Sequence, residues 1–163
     1  MMKFYAKLKD QERGFTLIEL MVVVLIIAIL IAIAIPAFLG ARKRAQRRQA
    51  QSALRNTLTT EKTYYSDAQE YTTDGTALTA IEPNIKYTTG ASDDPNNVSV
   101  DVSTDGQDLG LAAWSKSKEC YYIHEDATAG STFGKTEDTD IESTTGCLAD
   151  DTDDSPGAVQ GPW

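Results

Sequence analysis

The chain has 163 residues, with 24 Asp plus Glu against 15 Lys plus Arg, a net charge of −9 and two cysteines. The charge is unevenly spread: from Asn56 to Trp163 there are twenty-one acidic groups and five cations (Lys62, Lys86, Lys116, Lys118, Lys135), a net of −16 with His124 neutral. Phosphate affinity needs clustered Lys and Arg, so this composition argues against nucleic-acid binding by the second half of the chain.

The chain opens on a basic leader carrying Lys3, Lys7, Lys9 and Arg13, followed by Gly14-Phe15-Thr16-Leu17-Ile18-Glu19. From Leu20 to Leu39 there is no charge at all. At about 1.5 Å per residue this run spans roughly 30 Å as a helix, the hydrocarbon thickness of a bilayer. Glu19 therefore stands at the edge of a membrane, where an ionisable group is costly without a partner. A secretory signal peptide has a shorter apolar region, with its cleavage site after that region rather than before it. A plain bitopic anchor needs only the apolar stretch and stays open as an alternative. Within the run, Pro36 removes one backbone hydrogen bond and favours a kink. Just beyond it lie Arg42, Lys43, Arg44, Arg47 and Arg48, five cations against four in the leader, so loop charge does not set the orientation. Two readings of this basic cluster remain, a collar among anionic lipid headgroups and a patch for the acidic surface of the next subunit.

The order Gly14-Phe15-Thr16-Leu17-Ile18-Glu19 ahead of an apolar run resembles the type IV pilin signal. The resemblance is motif-specific over residues 13–40 and architectural beyond. It implies cleavage between Gly14 and Phe15 by a membrane prepilin peptidase on the cytoplasmic side, and N-methylation of Phe15. It also implies that Glu19 pairs with the Phe15 ammonium of a neighbouring subunit. Cutting before the apolar run keeps the anchor on the mature protein and supplies the cation that Glu19 lacks. In a low-dielectric filament core an unpaired charge is costly and a paired one tolerable, so such a pair can set packing register. Pro36 matches a Pro that the family commonly carries, near which its helix can melt locally in the filament.

Past Leu39 the pattern turns amphipathic. Ala50, Ala53, Leu54, Thr57, Leu58, Glu61, Tyr65 and Ala68 recur at three- and four-residue steps, leaving Arg55, Lys62 and Gln69 wet. The helix is predicted to run to about Gln69 and to stop in Tyr71-Thr72-Thr73-Asp74-Gly75. A polar connection, Thr76 to Asn97, follows; Ile85 and Tyr87 form either a brief strand or a loop plug. Val98, Val100 and Val102 then alternate with polar residues, Asp105-Gly106 marks a hairpin turn, and Leu109 to Trp114 gives a second strand of more continuous apolar character. Cys120-Tyr121-Tyr122-Ile123-His124 gives a third. The predicted fold is α+β: a long helical spine, half membrane and half amphipathic, whose wet half carries a small antiparallel sheet with a disulfide-closed carboxy-terminal segment.

The domain reading is a cleaved leader over 1–14, a transmembrane or filament-core helix over 15–40 and an amphipathic helix over 41–70. A β-sheet head over 71–148 and a flexible acidic tail over 149–163 complete it. A head this small buries limited apolar area and calls for a staple. An even cysteine pair in an exported domain reads as a disulfide, and Cys120 with Cys147 matches in kind the bridge that closes a carboxy-terminal segment in many type IV pilins. Two acidic runs, Asp138-Thr139-Asp140-Ile141-Glu142 and Asp150-Asp151-Thr152-Asp153-Asp154, offer oxygens at alternate positions but lack the Gly and distal Glu of an EF-hand loop, so they read as solvated loops. His124 has no nucleophile in a recognisable arrangement, and the triplet Asn97-Val98-Ser99 is explained by a strand start. No catalytic, metal or cofactor constellation is present in the sequence.

The expectation is therefore a structural subunit that polymerises with its own copies, meets a prepilin peptidase and a pilus assembly platform, and sits in the cytoplasmic membrane, N-in and C-out, before entering a surface filament. Adhesion, motility or DNA uptake are the roles the resemblance implies. A minor pilin or secretion pseudopilin shares the architecture; a bitopic receptor or adhesin is the alternative of another class.

Overall fold

The computed structural model describes residues 14–137, 147–149 and 159–160. The leader before Gly14, both acidic runs weighed above for calcium and Trp163 lie outside them. By its internal contacts the chain divides into two units, Met1–Ala41 and Arg42–Trp163, and one helix, α1 (Leu17–Ala68), runs through the boundary.

In the first unit the described helix is exposed along its length, with Leu20, Leu25, Leu30, Ile33 and Phe38 all open on different sides. A helix apolar all round is at rest only inside lipid or among other apolar helices. It is the one described helix long and apolar enough to cross a membrane. Pro36 lies inside it and leaves the Ala32 carbonyl without its usual i+4 donor.

In the second unit, α1 buries Ala50, Ala53, Leu54, Thr57, Thr60 and Glu61, the stripe expected from the three- and four-residue spacing. The helix stops where Gln69 turns left-handed (φ 61°) and its N–H bonds the Tyr65 carbonyl at 2.8 Å, a one-bond αL cap. That is one residue from the expected end. Asp74-Gly75 plays a different part from the one expected: it does not terminate α1 but opens a second helix, α2 (Gly75–Ile81), with the Asp74 carboxylate accepting from Thr76 N at 2.8 Å. The stretch read as a polar connection thus begins with about two turns of helix, held down by buried Leu78.

Among the described residues the sheet has six strands in chain order: β1 (Lys86–Thr88), β2 (Asn97–Val102), β3 (Asp108–Ser115), β4 (Glu119–Asp126), β5 (Gly130–Glu137) and β6 (Val159–Gln160). Pairs from β2 to β6 are antiparallel, as expected, but β1 runs parallel to β2, so the sheet is mixed. The parallel pair is only three residues long, short enough for the 89–96 loop to return the chain, with Lys86 N bonding Asn96 O at 2.8 Å. Strand β5 has no counterpart in the sequence reading, because Gly130-Ser131-Thr132-Phe133-Gly134-Lys135 lacks apolar alternation. Strand β6 falls within the stretch read as a tail.

Both sheet faces are covered, which explains the unbroken burial of Leu109 through Ala113 in β3. On one face Val98, Val100, Leu109, Leu111, Ala113, Tyr121 and Ile123 pack with Ala50, Ala53 and Leu54 of α1. On the other, Ala112, Trp114, Cys120 and Tyr122 meet Cys147 and Ala149. The Cys120–Cys147 disulfide, with Cα atoms 5.7 Å apart, holds this cover. Cys147 also exchanges backbone bonds with Ser92 at 2.6 and 2.9 Å, and Ala149 N bonds Ser99 Oγ at 3.0 Å.

Candidate functional site: the head of the apolar helix

Local chemistry at the start of α1 is decided by Thr16 and Glu19. Thr16 is the N-cap: its Oγ1 accepts from Glu19 N at 3.2 Å, and its carbonyl takes the first helical bond from Leu20 N at 3.2 Å. Glu19 reaches back, with Oε2 accepting from Thr16 N at 2.9 Å and from Thr16 Oγ1 at 2.7 Å. This reciprocal pair is a capping box, and its carboxylate also meets the positive end of the helix dipole. The sequence reading missed the role of Thr16, although Thr16-Leu17-Ile18-Glu19 carries the T-x-x-E spacing that announces it.

The box fixes one carboxylate oxygen and leaves the other. Both bonds fall on Oε2, and Oε1 has no hydrogen bond among the described residues. Around it, Phe15, Ile18, Val22 and Val23 line a shallow, mostly apolar depression that includes Glu19. Phe15 precedes the helix and is 81% exposed, and a side chain built on Gly14 meets nothing within 4 Å. The site is an open, apolar surface with one carboxylate oxygen on offer, suited to receiving a cation carried by an apolar chain.

The other residues singled out from the sequence lie elsewhere. Cys120 and Cys147 are bonded to each other, and Pro36 lies inside α1. His124 is half-buried in β4, its carbonyl accepting from Thr132 Oγ1 at 3.4 Å. Of the basic cluster, Arg47 forms an ion pair with the buried Glu119 carboxylate of β4. Further along the same face of the head, Lys62 pairs with buried Glu125 at 2.7 Å. Among the described residues no group of three or more metal-ligating side chains comes together.

Residues 9–35 match the family model of the prokaryotic N-terminal methylation motif. The motif is the class III signal of type IV pilins and prepilin-like proteins, and over those residues the chain is similar to them. No curated protein and no solved structure matches the chain.

Proposed function

We propose that the chain is the structural subunit of a type IV pilus filament. A prepilin peptidase cuts after Gly14, Phe15 becomes the N-methylated amino terminus, and the subunit waits in the cytoplasmic membrane with its head outside. An assembly platform then extracts it into a helical homopolymer of its own copies, held by the apolar helices. The observation that carries this reading is the unbonded Oε1 of Glu19 in an apolar, exposed surface, within a matched methylation motif. Cleavage creates an α-amino cation on Phe15, and the Phe15 of a neighbouring subunit can present that cation to Oε1. Desolvated, such a pair holds only while both partners are present, and its loss leaves an uncompensated charge.

Mass spectrometry of the purified protein is expected to give an amino terminus at Phe15 carrying one methyl group. Glu19→Gln keeps the capping geometry and removes the charge; it is expected to insert normally and to form no fibres by electron microscopy. A mature protein starting at Met1, or fibres undiminished in Glu19→Gln, overturns the reading. Sheared surface fibres made mostly of this chain identify a major pilin, and fibres in which it is a trace component identify a minor pilin or pseudopilin.

A further inference from the structure

We propose that Arg42, Lys43, Arg44 and Arg48 form a collar that binds the phosphate headgroups of anionic phospholipids where α1 leaves the bilayer. The inference rests on reading the first part of α1 as a membrane span. Only Gly40 and Ala41 separate Arg42 from the end of the uncharged run, so the four cations begin within one helical turn of it. All four are exposed, and none has a hydrogen bond or ion pair among the described residues. Arg47 is the contrast: it is drawn to Glu119.

Two features select lipid over an ordinary wet face or a one-sided protein partner. First, α1 carries no carboxylate between Glu19 and Glu61. A solvated helix surface interleaves acids with cations at i and i+4; here that neutralisation is absent and the counter-charge comes from outside the helix. Second, at about 100° per residue, Lys43, Arg47, Arg44 and Arg48 stand roughly 100°, 140°, 200° and 240° around the axis from Arg42, so the cations reach around about two thirds of the circumference. That spread fits headgroups lying on more than one side of the helix. Three of the four are arginines, whose planar guanidinium takes two phosphate oxygens at once. Each cation close to an anionic membrane surface is worth about fivefold in affinity, screened by salt.

The test uses the full chain reconstituted in nanodiscs of equal phosphatidylglycerol and phosphatidylcholine, with the retained lipids counted by native mass spectrometry. The wild type is expected to retain phosphatidylglycerol at least tenfold over phosphatidylcholine at low salt, with the preference falling sharply at 0.5 M. The variant R42Q/K43Q/R44Q/R48Q is expected to lose most of that preference, and R44Q alone several-fold; circular dichroism checks that each folds. Equal retention by the wild type, or an unchanged preference in the collar variant, overturns the proposal. A collar variant with unchanged lipid preference but weakened self-association overturns it too, assigning the cations to a second copy. A chain that does not enter nanodiscs at all fails the membrane reading itself, whereas one that inserts without lipid preference fails only the collar.

Discussion

Glu61 couples the stability of the head to pH, although its side chain has no exposed surface. Its side chain is fully buried in the layer between α1 and the sheet, with Oε2 accepting from Thr72 N at 3.2 Å and Oε1 unbonded. Four residues earlier on the same helix face, Thr57 Oγ1 is also buried and unbonded. A proton on Glu61 gives Oε1 an O–H to offer across that face. Tyr71, from the loop after α1, and Tyr87, from β1, are the titratable neighbours that feel its charge, and no cation pairs with it among the described residues. Burial accordingly lifts its pKa from 4.5 to about 7, against the opposing pull of the Thr72 N–H. Because the folded value lies above the unfolded one, the stabilisation is complete below pH 4.5, declines from there upward and is gone above about 7. The whole effect is of the order of 3 kcal/mol. In urea unfolding of the detergent-solubilised chain, Glu61→Gln is expected to match the wild type at pH 4 to 5 and to exceed it by about 2 to 3 kcal/mol at pH 8. A wild-type head that gains stability between pH 5 and 8, with Glu61→Gln moving in parallel, contradicts this assignment.

At the scale of elements, the sheet is secured by two contacts that the strands alone do not supply. Gly134 of β5 lies directly under the Tyr122 ring, and a Cβ there falls inside the ring. Gly134→Ala is expected to cost about 1 to 3 kcal/mol by forcing Tyr122 from its place, read as a lower urea midpoint. The Cys120–Cys147 bridge, with a sequence separation of 27, contributes roughly 3.5 kcal/mol in the chain-entropy model. A Cys120→Ser/Cys147→Ser chain is expected to unfold at markedly lower urea, and equal midpoints for the two proteins contradict that role. These elements also mark how far sequence patterning reaches. The spacing of Ala50, Ala53, Leu54 and Thr57 announced the buried stripe of α1, and the alternation of Val98, Val100 and Val102 announced β2. Strand β5 escaped because its fit depends on a glycine beneath a ring from the next strand, which no local period records. Helix α2 escaped because seven residues hold too little pattern, and its cap, Asp74, was read as an ending rather than a beginning. The parallel sense of β1 is set by its loop and carries no alternation signal.

Across the whole molecule the charges sort by place. Arg42, Lys43, Arg44 and Arg48 stand in one band of α1 with no ion pair among the described residues, and the acids that are buried in the sheet, Glu119 and Glu125, take Arg47 and Lys62. Arg47→Ala leaves Glu119 buried with only Ser117 Oγ at 2.7 Å and Tyr121 OH at 3.3 Å to face its charge, so it is expected to lower the thermal midpoint of the head by more than Lys116→Ala, whose partner Asp94 is exposed. The reverse order contradicts it. The candidate site was legible because its signal is compact: Gly14, Phe15 and Glu19 lie within six residues of one another. What patterning left out was Thr16, which holds one oxygen of Glu19 and thereby decides which oxygen remains on offer.

Strand order in the sheet repeats chain order. A head whose strands become available in chain order can therefore lay each new strand on one already in place, with no segment to be threaded back. Past β5, Cys147 and Ala149 reach far upstream in sequence to the second face, to Ser92, Ser99 and Cys120. Their arrival covers a surface that every shorter, unfinished chain leaves bare. The bridge thus reports length: a chain that ends before residue 147 has neither the disulfide nor the bonds to Ser92, and its second face stays bare.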